Sequence, residues 1–164
     1  MQAIEAIKKR RSVRIFKPQE VPEPLIKELI DCARLAPTAR NEQPWEFVVV
    51  TRGDLLKELA NLTDHGKFIS QSPCCIAVFC RETKYYLEDG CATTENILIA
   101  AVELGLVSCW VAGDKKTYCG EVKRLLGVPK DFKLVSLIAL GYSDAPLTNP
   151  SKRALSEVIH WQGW

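Results

Sequence analysis

No run of apolar residues in this 164-residue chain approaches the roughly 18 that a membrane-spanning helix requires; stretches such as 48–50 and 97–102 fall far short. No G-x-G occurs, so the dinucleotide fingerprint of a Rossmann unit is missing, and Gly66-Lys67 lacks the upstream glycine of a P-loop. Seven cysteines are present, yet no two stand at C-x-x-C spacing, which speaks against a zinc ribbon and a thioredoxin-like dithiol. The two histidines, His65 and His160, belong to no metal-binding signature such as H-E-x-x-H. Charge of one sign is scarce as well. Setting 22 Lys and Arg against 20 Asp and Glu leaves +2, too little to hold a protein on nucleic acid by bulk charge. Low-complexity tracts and internal repeats are absent, and residues 1–11 alternate charged with apolar side chains instead of forming a signal-peptide core. The expectation is a cytoplasmic protein with no membrane and no nucleic-acid partner.

What is there reads as an ordinary globular chain: 47% apolar and 26% charged residues, enough for one core, so a single domain over 1–164 is expected. Ala3, Ile4 and Ile7 predict a short amphipathic helix ending in the basic cluster Lys8-Lys9-Arg10-Arg11. After Pro22 and Pro24, the spacing of Leu25, Ile26, Leu29, Ile30 and Ala33 predicts a second helix, stopped by Pro37. A polar loop leads to a β-branched and aromatic strand over 45–51, and Gly53-Asp54 opens a helix through Leu59. Residues 73–81 are apolar on both faces, as expected for a strand in the middle of a sheet covered by helices. In 86–104 the apolar positions wrap most of a helix, which predicts burial, between subunits if one core cannot cover it. A strand over 106–112, a helix over 117–126 and an apolar strand over 134–142 complete an interleaved α+β pattern, followed by an irregular tail from Ser143. The cysteines have mostly apolar neighbours and read as reduced core thiols.

Three segments carry residues with chemical potential. Arg10-Arg11-Ser12-Val13-Arg14 offers guanidinium forks and a hydroxyl within five residues, which suits a phosphate dianion. The same cations at a helix C-terminus also suit simple solvation of the macrodipole. The loop Pro37-Thr38-Ala39-Arg40-Asn41-Glu42-Gln43-Pro44-Trp45 presents amides and a hydroxyl that fit the edge of a planar heterocycle, or equally a turn capped by Asn41 with Trp45 in the core. In Gly105-Leu106-Val107-Ser108-Cys109-Trp110-Val111-Ala112-Gly113, small residues admit a ligand close to the backbone; a buried strand ending in a glycine turn is the alternative.

Taken in order, these segments resemble the FMN-dependent nitroreductase family over nearly the whole chain. Arg10-Arg11-Ser12-Val13-Arg14-Ile15-Phe16 is similar to its N-terminal flavin motif, and 37–45 to its Pro-Ser-x-x-Asn-x-Gln-Pro-Trp loop. The stretch 89–101 with Asn96, and 105–113 followed by Gly141-Tyr142, resemble its central helix and last sheet strands. The resemblance implies an α+β fold with a mixed, mainly antiparallel sheet flanked by helices, in an intertwined homodimer with two FMN molecules at the subunit interface. It implies that Arg10, Arg14, Lys152 and Arg153 hold phosphate or ribityl oxygens with Arg11 and Ser12 nearby. Thr38, Ala39 and Asn41 would come from the other subunit, Pro37 and Gln43 would also be cofactor-binding, and the backbone of Val111, Ala112 and Gly113 would lie along the ring. Ala39 stands where Ser is common, and Gly66 and Ile69 fall where larger members carry an Asn and a Lys near the pyrimidine. The implied activity passes hydride from NAD(P)H through the flavin to a nitroaromatic, quinone or similar small electron-poor acceptor by a ping-pong mechanism. The flavin carries the chemistry, so no side-chain nucleophile is required. The alternative on the same fold is a flavin-binding or flavin-remodelling protein with little such turnover.

Overall fold

The computed structural model describes residues 2–164. Helix α1 (Ala3–Lys9) buries only Ala6 and ends on Lys8 and Lys9, cations suited to its C-terminal dipole. Helix α2 (Glu23–Ala33) starts after Pro22 with Pro24 in its first turn and buries Ile26, Leu29 and Ala33 on one face. Strand β1 (Trp45–Val50), helix α3 (Gly53–Leu62), strand β2 (Cys74–Arg81), helix α4 (Tyr86–Glu103), strand β3 (Val107–Ala112), helix α5 (Cys119–Leu125) and strand β4 (Phe132–Gly141) follow. The strands form one sheet in the order β1-β2-β4-β3, every pair antiparallel. Among the described residues, parallel pairing is confined to a single bridge between Ser12 and Ser108, where Val13 N–H donates to Ser108 O at 3.0 Å. That bridge holds the basic segment 10–14 against the β3 edge.

Strand β2 is buried at every position except Arg81, as its sequence implies for the middle of a covered sheet. Its alternation divides the core in two. Cys74, Ile76, Val78 and Cys80 pack with α2 and α4 through Ile26, Leu29, Ile97 and Leu98. Cys75, Ala77 and Phe79 face α3 and α5 through Leu56, Leu59 and Val122. The molecule is therefore three layers, with α2 and α4 on one side of the sheet, α1 lying against α4, and α3 and α5 on the other side.

Some expectations shift. Strand β4 begins at Phe132, because Phe132 and Lys133 continue the pairing with Arg81 and Cys80. Helix α5 begins at Cys119, with Tyr118 as its N-cap. Short 3-10 turns occupy Ala39–Asn41, Lys67–Gln71 and Leu155–Glu157. Helix α4 packs on the sheet, α2 and α1 and leaves only Glu88 and Glu103 exposed; its fully buried positions include Asp89, Thr93 and Thr94, while Leu87, Ile99, Ala100 and Val102 stay half-buried within this one chain. Each threonine is satisfied: Thr93 donates to Ala33 O at 2.6 Å, and Thr94 Oγ1 lies 2.7 Å from Gly90 O and 2.8 Å from Ser136 Oγ. The large exposed apolar side chains lie elsewhere, on α1, at Ile15, Leu35, Val49 and Tyr85, and in the tail. No helix among the described residues is long and apolar enough to cross a membrane.

Candidate active site

Where the chain leaves α1, residues 10–14 form one wall of a cleft of about 550 Å³. Arg10, Arg11, Ser12, Arg14 and Lys8 line it, together with Thr148, Pro150 and Lys152 from the tail. The cations do not play equal parts. Arg11 is used up in holding the chain together: Nε donates to Thr148 O at 3.1 Å and to Asn149 Oδ1 at 3.0 Å. Its Nη1 donates to Lys8 O at 2.8 Å and Arg10 O at 2.7 Å. Arg11 thus pins the tail to the end of α1 and brings Lys152 to the cleft. Arg10 Nε lies 3.6 Å from Glu95 Oε1. The Arg14 guanidinium sits 5.8 Å over the Phe68 ring. Among the described residues neither Arg14 nor Lys152 has a carboxylate within ion-pair distance, so both charges are available to an anion. Arg153 lies outside the cleft, donating to Glu157 O at 2.6 Å and pairing with its carboxylate at 3.9 Å.

A second cavity of about 200 Å³ shares Arg14 with the first. Its walls are Phe68, Trp110 and Val111, with Ala112, Cys109, His65, Lys116 and Tyr118 completing it. Strand β3 provides the floor, and two glycines let the backbone close around it. A Cβ on Gly113 would lie 2.8 Å from the Val135 backbone. One on Gly66 would lie 2.6 Å from Thr63 Oγ1 and 3.0 Å from Val111. Tyr118 donates its hydroxyl to Ala112 O, and Lys116 Nζ stands 3.4 Å from Asp64 Oδ2. Burial pushes the Cys109 thiol up from its ordinary pKa, opposed by Arg14, Ser12 and Arg10. The result is a neutral thiol suited to packing. A cationic cleft and a smaller cavity of mixed polar and apolar lining thus share Arg14 as a common wall.

The loop between α2 and β1 lies apart from both cavities. Arg40, Asn41 and Gln43 have φ of 56°, 56° and 46°, a left-handed backbone that disfavours side chains with a Cβ by roughly 1–2 kcal/mol each, least for Asn. The buried Asp89 carboxylate holds it: Thr38 Oγ1 donates to Oδ2 at 2.8 Å and Ala39 N–H to Oδ1 at 3.2 Å. Asn96 Nδ2 donates to Cys32 O at 3.0 Å and ties α4 to the end of α2.

The residues singled out in the sequence therefore fall into separate groups. Arg10, Arg11, Ser12, Arg14 and Lys152 meet at the cleft, and Val111 and Ala112 line the adjoining cavity. Gly113 lies beside them on a small neighbouring hollow, whereas Pro37, Thr38, Ala39, Asn41 and Gln43 line neither cavity of their own chain. Sequence reasoning missed His65, Phe68, Lys116, Tyr118 and Asp89. The one available signal was that Gly66 sits beside charged and aromatic neighbours, His65, Lys67 and Phe68.

The nitroreductase family model matches residues 7–74 and 65–142. A protein of Methanothermobacter thermautotrophicus, whose provisional name is NADH dehydrogenase/NAD(P)H nitroreductase, is 33% identical over 100% of this chain and 88% of its own length. A solved structure of an FMN-dependent nitroreductase from Clostridium difficile superposes with a TM-score of 0.92 at 28% identity, covering 98% of this chain and 99% of that one. A nitroreductase with bound FMN from Bacteroides fragilis superposes with a TM-score of 0.83 at 25% identity, covering 98% and 100%. With its sheet order, its basic segment beside β3 and matches over nearly its whole length, the chain belongs to the nitroreductase family.

Proposed function

We propose that this chain is an FMN-dependent oxidoreductase that works as a homodimer, taking electrons from NAD(P)H and delivering them to small electron-poor acceptors such as nitroaromatics and quinones. The observation that carries the reading is that Arg14 lines both the cationic cleft and the smaller β3 cavity, which sets the two side by side. FMN has that shape and charge distribution, and its bound relatives support the assignment. When bound, FMN supplies a ring that accepts and donates hydride.

The chain's own part is binding and orientation. Arg10, Arg14 and Lys152 neutralise a phosphate monoester, and Ser12 adds a hydroxyl; Arg11 keeps the tail and its lysine in place. Arg10 must also exchange part of its attraction to Glu95 for the phosphate. The backbone of Val111 and Ala112 offers hydrogen-bonding groups along the ring cavity, with Gly113 allowing the close fit to β4. Lys116 adds positive charge there, which favours the more anionic redox state of any ring it holds. No nucleophile is called for, and Cys109 stays a thiol. Exposed Ile4, Ile7 and Ile15, together with Trp161 and Trp164 in the tail, support a second copy as partner. That copy supplies the 37–43 loop to the site. Seven free cysteines are in keeping with the reducing cytoplasm.

Ping-pong turnover follows from space, because a ring seated along β3 leaves one open face, on which the nicotinamide donor and a planar acceptor cannot both stack. Steady-state reduction of a nitroaromatic with NADH or NADPH tests the reading. Parallel double-reciprocal lines are expected. Intersecting lines would mean that both substrates are bound at once, and stoichiometric flavin binding without turnover would mark a flavin-binding protein.

A further inference from the structure

We infer that Asp89 is a positioning residue for the flavin site: its buried carboxylate holds the 38–43 loop in the shape that a second copy of the chain receives. The inference rests on the homodimeric flavin reading above. Asp89 is 5% exposed and lies in the first turn of α4, where the helix dipole favours negative charge. Among the described residues no Lys or Arg pairs with it. Both of its oxygens are instead spent on one loop, accepting Thr38 Oγ1–H at 2.8 Å and Ala39 N–H at 3.2 Å. Thr38 Oγ1 in turn accepts Gln43 N–H at 3.3 Å. One carboxylate therefore fixes the start of the loop directly and its end through a single hydroxyl.

Between these fixed points the backbone is left-handed at Arg40 and Asn41, and again at Gln43 itself. For Arg and Gln that conformation is unfavourable on its own, so the loop needs an anchor to persist. The side chains so displayed, Arg40, Asn41 and Gln43, are exposed and line neither cavity of their own chain. A preorganised, strained and exposed polar loop has its purpose in another surface. Asp89 lines neither cavity of its own chain, so its effect on a flavin is exerted through the loop and across the dimer.

The test uses FMN titration of Asp89→Ala, Asp89→Asn and Arg14→Ala proteins, then of mixed dimers of Asp89→Ala and Arg14→Ala chains, co-expressed with different tags. Asp89→Ala is expected to loosen FMN binding about tenfold or more, and Asp89→Asn, which keeps one carbonyl acceptor, by less. Each mixed dimer pairs the intact loop of the Arg14→Ala chain with the intact Arg14 of the other chain, so one tight FMN site per dimer returns. A stability defect alone would restore nothing on mixing. Should Asp89→Ala fail to fold, Asp89→Asn carries the same mixing experiment. Wild-type-like affinity in the Asp89 variants, or two weak sites in the mixed dimer, overturns the inference while leaving the flavin reading intact. A wild-type protein that takes up no FMN overturns both.

Discussion

The body of the molecule and its tail answer to different physics. In the body, β2 and β4 are almost wholly buried and their alternating side chains fill two clusters, one on each face of the sheet. In 146–164 every residue is exposed, Trp161 at 85% and Trp164 fully. The tail holds itself by small local contacts, such as Ala154 N–H to Glu157 at 2.9 Å and the stacking of His160 on Trp164 at 4.0 Å. Arg11 fastens it to the body at Thr148 and Asn149. The family match ends at residue 142, at the same border. The body is closely packed while Leu155, Val158, Trp161 and Trp164 lie in water, and the site shares that division. Its cleft draws Lys152 from the tail, while the 37–43 loop faces away from the chain's own cavities.

If the tail completes both dimer and cleft, deleting 146–164 removes Lys152, the Arg11 anchor and the exposed apolar strap together. The expected outcome is a monomer by light scattering with FMN affinity down more than about a hundredfold. A dimer that persists would assign the interface to α1 and α4 alone. Arg14→Ala, in the body, leaves the dimer intact and loosens FMN by about 1.5–3 kcal/mol, or ten- to a hundredfold, as expected for one charge-assisted contact. Unchanged affinity in a flavin titration would return residues 10–14 to helix-end solvation. Lys116→Gln should act more weakly on affinity but make the midpoint potential of bound FMN more negative, which spectroelectrochemistry reads directly. The smallest effect belongs to the body's core. Burial pushes the Cys74 and Cys80 thiols up to about 12, so the folded chain keeps protons that an unfolded chain sheds above roughly pH 8.5. Thermal stability should therefore be insensitive to these groups below that pH and fall as pH rises from about 9 toward 12. A melting temperature independent of pH across 8–10.5 would contradict the burial.

The elements of the body were nearly all legible, because β2 is apolar on both faces and α2 has a strict helical spacing closed by prolines. Boundaries slipped where pairing outweighs propensity, as at Phe132 and Lys133 in β4. In helix α4 the apolar wrap was legible, but its buried threonines were not, because Thr93 and Thr94 find their partners on α2 and in the sheet only once the chain is folded. At the site, Arg10, Arg14 and the 105–113 segment were readable as local clusters. Lys116 and His65 were not, since they lie 51 residues apart in sequence and meet only because the loop holding Gly66 packs onto Val111. Asp89 carried no signal either. Its partners Thr38 and Ala39 are distant in sequence, and only the fold brings them to α4.

The central claim is that the site around Arg14 holds FMN, and absorbance-monitored titration of the purified protein with FMN, followed by release and identification of the chromophore, tests it most directly. The account predicts a yellow protein carrying about one FMN per chain, reached at a sharp stoichiometric endpoint. A protein that stays colourless after incubation with excess FMN and desalting would contradict it.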